Sequence, residues 1–499
     1  MMKIKINNTE KNICMLLMAM IFSFFSITIC SKSSILYPMN DWVDANCFFT
    51  MGKALMNGKI LYKEIYEQKG PLLYFMHGIA YWFSKDSFLG VYIIEVFMFG
   101  MHLFFAYKCA KLYIEQYNIA ILIIPVLAVI IPISEAFAHG DSVEELTICF
   151  LMYSLYSVLK AKKENRLLNI QECLLNGVCI AWSLWTKFTI LGFYIGLSLY
   201  VVLWYFGEKQ WKKLGNVIVC VLLGVSITTI PIIVYCYKTN SFMDMIEAYF
   251  YNNIFLYPIH LENGIYKGMD FIFNCVRMLK SNISFSIFIV IGIVDMFIRK
   301  TKGYIAIILS FFGLLVGTYS GGRSAVYYGL IFSVYTVFGI IVLFRELIFW
   351  RNINKIKAVL YFPLSIVIII CSVGTSLLFT GNRYLMRYAK NDLPQYKFAQ
   401  RINQVENATM LNYGFLDGGF YFAAGCEPIN KFFCKLNIPL EEMDEDQNRC
   451  IVEGKVDFVV TRDKKLEDYN LDIENYKMVD TASMIFEGEE RTYFLYQHY

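Results

Sequence analysis

The sequence predicts a polytopic α-helical membrane protein of about 11 transmembrane helices, followed by a small extracytoplasmic α/β domain. Three observations predict it. First, 57% of the 499 residues are hydrophobic and only 17% are charged, against about 25% charged in an average soluble domain. Second, apolar runs long enough to cross a bilayer recur through residues 1–379. Third, the charge is divided. Residues 380–499 carry 14 Lys+Arg and 20 Asp+Glu, whereas residues 1–379 carry 31 and 21. A transmembrane body over 1–379 and a soluble domain over 380–499 follow. This composition excludes an ordinary soluble enzyme, a disordered chain and a nucleic-acid binder.

The apolar runs lie near 12–30, 88–107, 118–133, 145–159, 172–186, 188–206, 215–237, 284–298, 303–320, 327–344 and 358–379. Loop charge orients them, because cytoplasmic loops are enriched in Lys and Arg. With the N-terminus inside, the inner segments 1–11, 108–117, 160–171, 206–214, 299–302 and 345–357 hold 19 of the 31 basic residues. The tail then lies outside. Lys3, Lys5 and Lys11 precede the first run, but no A-x-A site follows it, so the run reads as a retained span rather than a cleaved signal. Most of the 14 cysteines lie in apolar runs, where Cys acts as a small hydrophobe. No CxxC or Cys/His metal spacing occurs. Cys426, Cys434 and Cys450 leave room for one bridge.

The outer segments 31–87 and 238–283 are rich in aromatics rather than in linker residues. Tyr62, Tyr66, Tyr74, Tyr81 and Trp82 mark the first; Tyr249, Phe250, Tyr251, Phe255 and Tyr257 mark the second. Aromatic belts or helices lying on the membrane account for both. Residues 41–56 read as one such surface helix. Asp44, Phe48, Met51, Gly52 and Leu55 recur at helical spacing, and Asn57-Gly58 closes it. Asn40 or Asp41 is its candidate cap, and Asp44 in the first turn suits the helix dipole.

Carboxylates also gather in the second outer loop. Glu144 and Glu145 open the fourth run, where the dipole favours an anion. Glu95 lies deep in the second run and must pair within the bundle or line a wet cavity. His139 reads equally well as a solvent-facing loop residue and as a participant in a site. Arg323 stands between two spans on the outer side, an interfacial anchor or a site residue.

The stretch from Asn40 to Phe75 includes Asp44, the Gly58-x-x-x-Tyr62 turn and Lys69-Gly70-Pro71-Leu72. It resembles the first outer loop of the GT-C membrane glycosyltransferases, most of all the bacterial relatives of protein O-mannosyltransferase and of lipid A aminoarabinose transferase. Glu144-Glu145, and Gly322-Arg323 followed by Tyr327-Tyr328, are similar to family positions too. The resemblance covers the membrane body in layout and is specific over about residues 36–84. An extracytoplasmic domain after the last span is common in that family. This sequence departs from the family's adjacent Asp-Glu pair: Asp44 is followed by Ala45, and the nearest second acid, Asp41, lies on the other side.

The resemblance implies an inverting glycosyltransferase of the cell membrane. Such an enzyme moves a hexosyl or pentosyl group from a polyprenyl-phosphate carrier to a glycan, lipid or protein acceptor at the outer face. It implies Asp44 as the base toward the acceptor hydroxyl. Lys69 and Arg323 would face the lipid phosphate. Asp41, Glu144, Glu145 and Tyr328 would be substrate-binding residues. Glu144 or Glu145 would hold sugar hydroxyls, or share a divalent cation (Mg or Mn) with Asp44; the sequence itself fixes no metal. Membrane lipids and the lipid-linked donor are the implied partners, and nucleic acid is not. A transporter or flippase of lipid-linked saccharides is the alternative, although the internal repeats and matched broken helices of transporters are not visible. A non-enzymatic envelope assembly protein, with Asp44 only a capping residue, is a third reading.

In the tail, 383–404 predicts a helix. Residues 408–414 and 419–425 predict short strands. Val456–Thr461 predicts a buried strand, and 492–496 predicts another, pairing with 482–486 across Glu487-Gly488. The acidic run 441–446 predicts a solvated loop. A lid or acceptor-docking role is the expectation for this domain.

Overall fold

The structure, a computed structural model, describes residues 8–258, 264–350, 361–471, 473–486 and 488–499. Lys3, Lys5, Arg351, Lys355, Lys357, residues 259–263 of the outer segment 238–283, residues 358–360 of the last apolar run and Glu487 of the tail hairpin lie outside that description.

The chain opens with α1 (Asn8–Cys30), then α2 (Val43–Met56), α3 (Pro71–Phe83) and α4 (Leu89–Ala110). The third apolar run is helical in two pieces, Tyr117–Ala120 and α5 (Ile123–Ile130). Pro125 and Pro132 interrupt it, since proline lacks the amide that a continuous helix needs. There follow α6 (Val143–Lys163), α7 (Ile170–Thr186), α8 (Leu191–Gly207), α9 (Trp211–Lys238), α10 (Gly264–Ser281), α11 (Ile283–Ile298), α12 (Tyr304–Tyr319), α13 (Thr336–Trp350) and α14 (Tyr361–Phe379). Among the described residues, five helices are long and apolar enough to cross a membrane by length and composition, and up to seven if each of two bent helix pairs is one span. The pair 268–298 bends by 112° at Asn282.

The chain divides into two compact units. The first gathers residues 1–31, 92–230 and 259–383 and holds most of the apolar helices. One close helix crossing joins α8 to α12 through glycines. A Cβ on Gly192 would stand 2.1 Å from the Gly313 carbonyl oxygen, and one on Gly196 would stand 2.0 Å from that of Leu309. Small residues at i and i+4 let two backbones touch where lipid supplies no hydrophobic drive. Glu95 is wholly buried. It accepts hydrogen bonds from the Ser31 hydroxyl (2.8 and 3.0 Å) and the Asp141 amide (2.8 Å), so it pairs within the bundle.

The second unit gathers residues 32–91, 231–258 and 384–499. Helix α2 buries nine of its fourteen residues. Gly52 meets Gly78 of α3 so closely that a Cβ on Gly52 would sit 2.5 Å from the Gly78 nitrogen. Phe49 packs edge-on to Phe422 of the tail, ring centres 5.2 Å apart. Tyr66 and Gln68 are anchored by Asn252 and Asn253 (2.9 and 2.6 Å) from the π-helical stretch Ile246–Leu256. The first outer loop is thus folded onto tail residues and onto 231–258.

Neither Asn40 nor Asp41 caps α2. Trp42 is the N-cap, and it makes no side-chain cap bond. Asn40 Oδ1 instead accepts the Trp42 amide at 3.1 Å, while Asp41 is engaged elsewhere. The C-terminal expectation holds: Asn57 caps the helix and Gly58 takes φ 97°.

The tail carries a four-stranded sheet of β1 (Met410–Asn412), β2 (Phe458–Arg462), β3 (Tyr476–Phe486) and β4 (Glu489–His498), in the order β1-β2-β4-β3. Strands β1 and β2 are parallel and the other pairs antiparallel. Its core joins Leu411, Val459 and Tyr496 to Cys450 and Ile451. Three expectations are corrected. The single helix read over 383–404 is broken into 3-10 turns at Gly381–Arg387 and Lys390–Asp392 and the α-helix α15 (Pro394–Ile402), which Pro394 starts at its first turn. Residues 419–425 form the single-turn helix α16 (Phe420–Ala424) rather than a strand. Gly419 and Gly425 flank it at φ 84° and 71°, and Asp417 Oδ1 turns the chain by accepting the Gly419 amide at 2.9 Å. The acidic run opens α17 (Glu441–Val452), where its carboxylates suit the positive helix end. Cys426, Cys434 and Cys450 are free thiols; Cys434 Sγ stands 3.7 Å from Cys47 Sγ.

Candidate functional site

In the second unit the site is built on α2 and the turn that follows it. Gly58 and Tyr62, at φ 97° and 67°, both take left-handed backbone, a conformation that costs a tyrosine energy and needs its surroundings to hold it. The Tyr62 amide donates to the Ile65 carbonyl at 2.7 Å. The Tyr62 hydroxyl donates to the Lys69 carbonyl at 2.8 Å. The turn therefore fixes Lys69.

Lys69 is held from several sides. Its amide donates to Glu67 Oε2 and to the Tyr74 hydroxyl, both at 2.9 Å, and that hydroxyl donates to Glu67 in turn. The ammonium lies 3.7 Å from Glu67 Oε1 and 5.8 Å from the centre of the Phe48 ring. Burial pushes the Tyr62 and Tyr74 hydroxyls well up from the usual phenol range, with the Glu67 charge adding to both. Both therefore stay neutral donors. Phe48 lies one helical turn beyond Asp44 on the same face of α2, so the Lys69 ammonium is brought to the face that Asp44 heads. Asp44 itself, in the first turn of α2, is partly buried.

Asp41 is committed differently. Its Oδ1 pairs with Lys32 Nζ at 2.6 Å, and both side chains are fully buried. The Tyr384 hydroxyl accepts from Lys32 at 2.9 Å and donates to Asp41 Oδ2 at 3.3 Å. Sequence reasoning passed over Lys32 and Tyr384. They carry no motif, and 352 positions separate them.

In the first unit Glu144 is buried in the first turn of α6 and pairs with Lys187 Nζ at 2.5 Å. Lys187 sits where α7 gives way to the short turn Phe188–Ile190, and its ammonium lies 3.5 Å from the centre of the Tyr328 ring. Glu144 Oε2 is buried with no hydrogen-bond donor. The constellation joins a cation, a carboxylate with a spare acceptor and an aromatic ring, a set able to meet the hydroxyl edge and the C–H face of a sugar. The sequence marks Glu144 and Tyr328 as candidates and leaves Lys187 unmarked, between the runs 172–186 and 188–206. Its signal was a lone cation between two apolar runs.

Glu145 does not share that arrangement. Its Oε2 accepts the Asp141 amide at 2.9 Å and its own amide is capped by the Ser142 hydroxyl at 3.1 Å, so it belongs to the buried group of Glu95 and Asp141. Arg323 is half-buried in the turn 320–325, whose Gly322, at φ 75°, accepts from Asn274 at 3.4 Å. His139 is partly buried, with its Nδ1 out of solvent.

Glu144 is salt-bridged to Lys187, and among the described residues no three His, Cys, Asp or Glu side chains stand in a metal-holding group.

No family model and no curated protein matches the sequence. Solved structures match its fold over nearly the whole chain, two of them of one protein. ArnT from Cupriavidus metallidurans bound to undecaprenyl phosphate superposes with a TM-score of 0.59 at 9% identity, covering 98% of both chains. Its apo state gives 0.59 at 10% identity, again over 98% of both. Identity this low speaks to the fold alone. The chain has the fold of these two ArnT structures.

Proposed function

We propose that the protein is an inverting glycosyltransferase that moves a hexosyl or pentosyl group from a polyprenyl-phosphate carrier to a cell-envelope acceptor at the outer face of the membrane. One observation carries this reading: a full-length fold match to a protein solved with undecaprenyl phosphate coincides with a carboxylate and a braced cation on one face of α2. The proposed organisation is a transmembrane body over 1–379 with its N-terminus in the cytoplasm, and an extracytoplasmic domain over 380–499 that docks acceptor or covers the site.

The proposed chemistry is one displacement. An acceptor hydroxyl attacks the anomeric carbon, a new C–O bond forms, and the bond from that carbon to the phosphate oxygen breaks. Lipid phosphate leaves with the bonding pair. The acceptor proton passes to the Asp44 carboxylate, acting as general base. Lys69 and Arg323 oppose the charge that gathers on the departing phosphate, Lys as a point charge and Arg as a two-pronged donor. Glu144, with its spare oxygen, and Tyr328 bind the sugar, and Lys187 sets the orientation of both. Asp41 and Glu145 support the site through their buried pairings.

The test uses purified full-length protein, a polyprenyl-phosphate hexose labelled in the sugar, and envelope extract as acceptor. Transfer of label out of the lipid fraction, with lipid phosphate released in equal amount, supports the reading. Movement of intact labelled lipid between leaflets of a vesicle without loss of its sugar would assign a flippase instead.

A further inference from the structure

Two cavities in the first unit lie apart from the residues assigned above. The first, of about 550 Å³, is framed by Asn169, Gln171 and Tyr205 on one side and by Lys213 and Asn216 on the other. The second, of about 160 Å³, runs between α7, α8 and α9 and is lined by apolar side chains such as Leu197, Val201 and Val221. They share Leu168 and Val217, so the two adjoin: a mouth that carries the polar side chains Asn169, Gln171, Lys213 and Asn216, and an apolar gallery beside it. From Lys213 to Leu222 the lining follows α9 for nine residues, about 14 Å at the rise of an α-helix.

The depth of the mouth is marked by Trp211, exposed two residues before Lys213 and packed on Phe206 with ring centres 3.7 Å apart. Tryptophan collects at the headgroup level of a bilayer. The loops around the mouth are strongly basic. Residues 160–171 and 206–214 contain Lys160, Lys162, Lys163, Arg166, Lys209, Lys212 and Lys213 against Glu164, Glu172 and Glu208 just beyond or within them. Those acids are already engaged: Glu208 with Lys162, and Glu164 and Glu172 with Arg166. The net positive charge at Lys213 is left for another anion. A basic pocket between spans at the membrane surface is the arrangement that takes anionic lipid headgroups.

We infer that this double cavity binds one anionic phospholipid, its phosphate against Lys213 and Asn216 and one acyl chain in the gallery between α8 and α9. The occupant is the lipid of the surrounding bilayer, not the sugar donor, so the inference stands independently of the transfer reaction.

Native mass spectrometry of the full-length protein, titrated with dioleoyl phosphatidylglycerol or dioleoyl phosphatidylcholine, tests it. The expected result is at least tenfold tighter retention of phosphatidylglycerol by the wild type. Lys213→Gln, at an exposed position, brings the two lipids within about threefold. Lys212→Gln, in the same first turn of α9 but outside the lining, keeps the preference. Ser198→Trp, which fills the gallery from an exposed position, weakens both lipids. Equal retention by the wild type, or a preference that survives Lys213→Gln, overturns the inference. So does displacement of the lipid by millimolar inorganic phosphate, which would make the mouth a simple anion site.

Discussion

Lys32 Nζ stands 2.6 Å from Asp41 Oδ1 with neither side chain reaching solvent, and the Tyr384 hydroxyl closes the group. A buried pair of this kind is costly to break from one side, because the remaining charge stays in a dry place. Lys32→Met is expected to cost about 3–5 kcal/mol, read as a fall in the thermal midpoint of the purified protein. The double variant Lys32→Met/Asp41→Leu is expected to recover most of that loss. If Asp41→Asn abolished transfer while leaving the midpoint unchanged, Asp41 would be a substrate ligand rather than a brace.

Glu144 and Lys187 make a different case, because Glu144 keeps one oxygen without a donor. Glu144→Gln retains the shape and removes the charge. The expected effect is a rise of about tenfold in KM for the lipid-linked donor, as losing one charge-assisted hydrogen bond implies, with kcat changed much less. Steady-state kinetics over a range of donor concentrations checks it, and an unchanged KM would remove Glu144 from the sugar site.

The tail holds its own titrating group. Burial pushes the Asp417 carboxyl up to about 6 from 3.8, although the Thr50 hydroxyl (2.7 Å) and the Gly419 amide both donate to it. The folded state therefore holds the proton more tightly than the unfolded chain. The resulting stabilisation is full below about pH 4 and is lost as pH rises through about 6, amounting to about 3 kcal/mol. Asp417→Asn is expected to flatten this part of the stability profile and to raise the thermal midpoint at pH 8 relative to wild type. Midpoints measured from pH 4 to pH 8 decide it; parallel profiles for the two proteins would refute the assignment.

The α8–α12 crossing leaves no room for a side chain at Gly192. Gly192→Leu is expected to force the helices apart at a cost of about 1–3 kcal/mol or more, seen as a lower melting midpoint in detergent, whereas Gly207→Ala, where a Cβ would meet nothing within 4 Å, should be silent.

The membrane body was readable because bilayer crossing writes itself as long apolar runs, and each such run lies on helix within the described residues. The β2 and β3–β4 strands were readable for a related reason: Val459 and Val460 sit in a continuous buried stretch, and a β-hairpin is a local structure. What escaped was set by distance along the chain or by competing turn chemistry. The run 420–424 is apolar and aromatic enough for a strand, yet Asp417 and two left-handed glycines turn it into a helix. The acidic run 441–446 has no apolar periodicity of its own and folds through Met443, Gln447, Cys450 and Ile451 on its buried face. Around the site, Asp44, Lys69 and Glu144 stood in recognisable segments. Lys32, Glu67 and Lys187 acquire meaning only from partners that folding brings to them.

The most direct test compares wild type, Asp44→Asn and Asp44→Glu in single-turnover transfer from a labelled polyprenyl-phosphate sugar, with melting curves to establish that all three are folded. The account predicts that Asp44→Asn loses at least a hundredfold in rate, as removal of a general base does. It also predicts that Asp44→Glu retains part of the activity and that the product formed by wild type has the inverted anomeric configuration. A folded Asp44→Asn protein transferring sugar at the wild-type rate would contradict it.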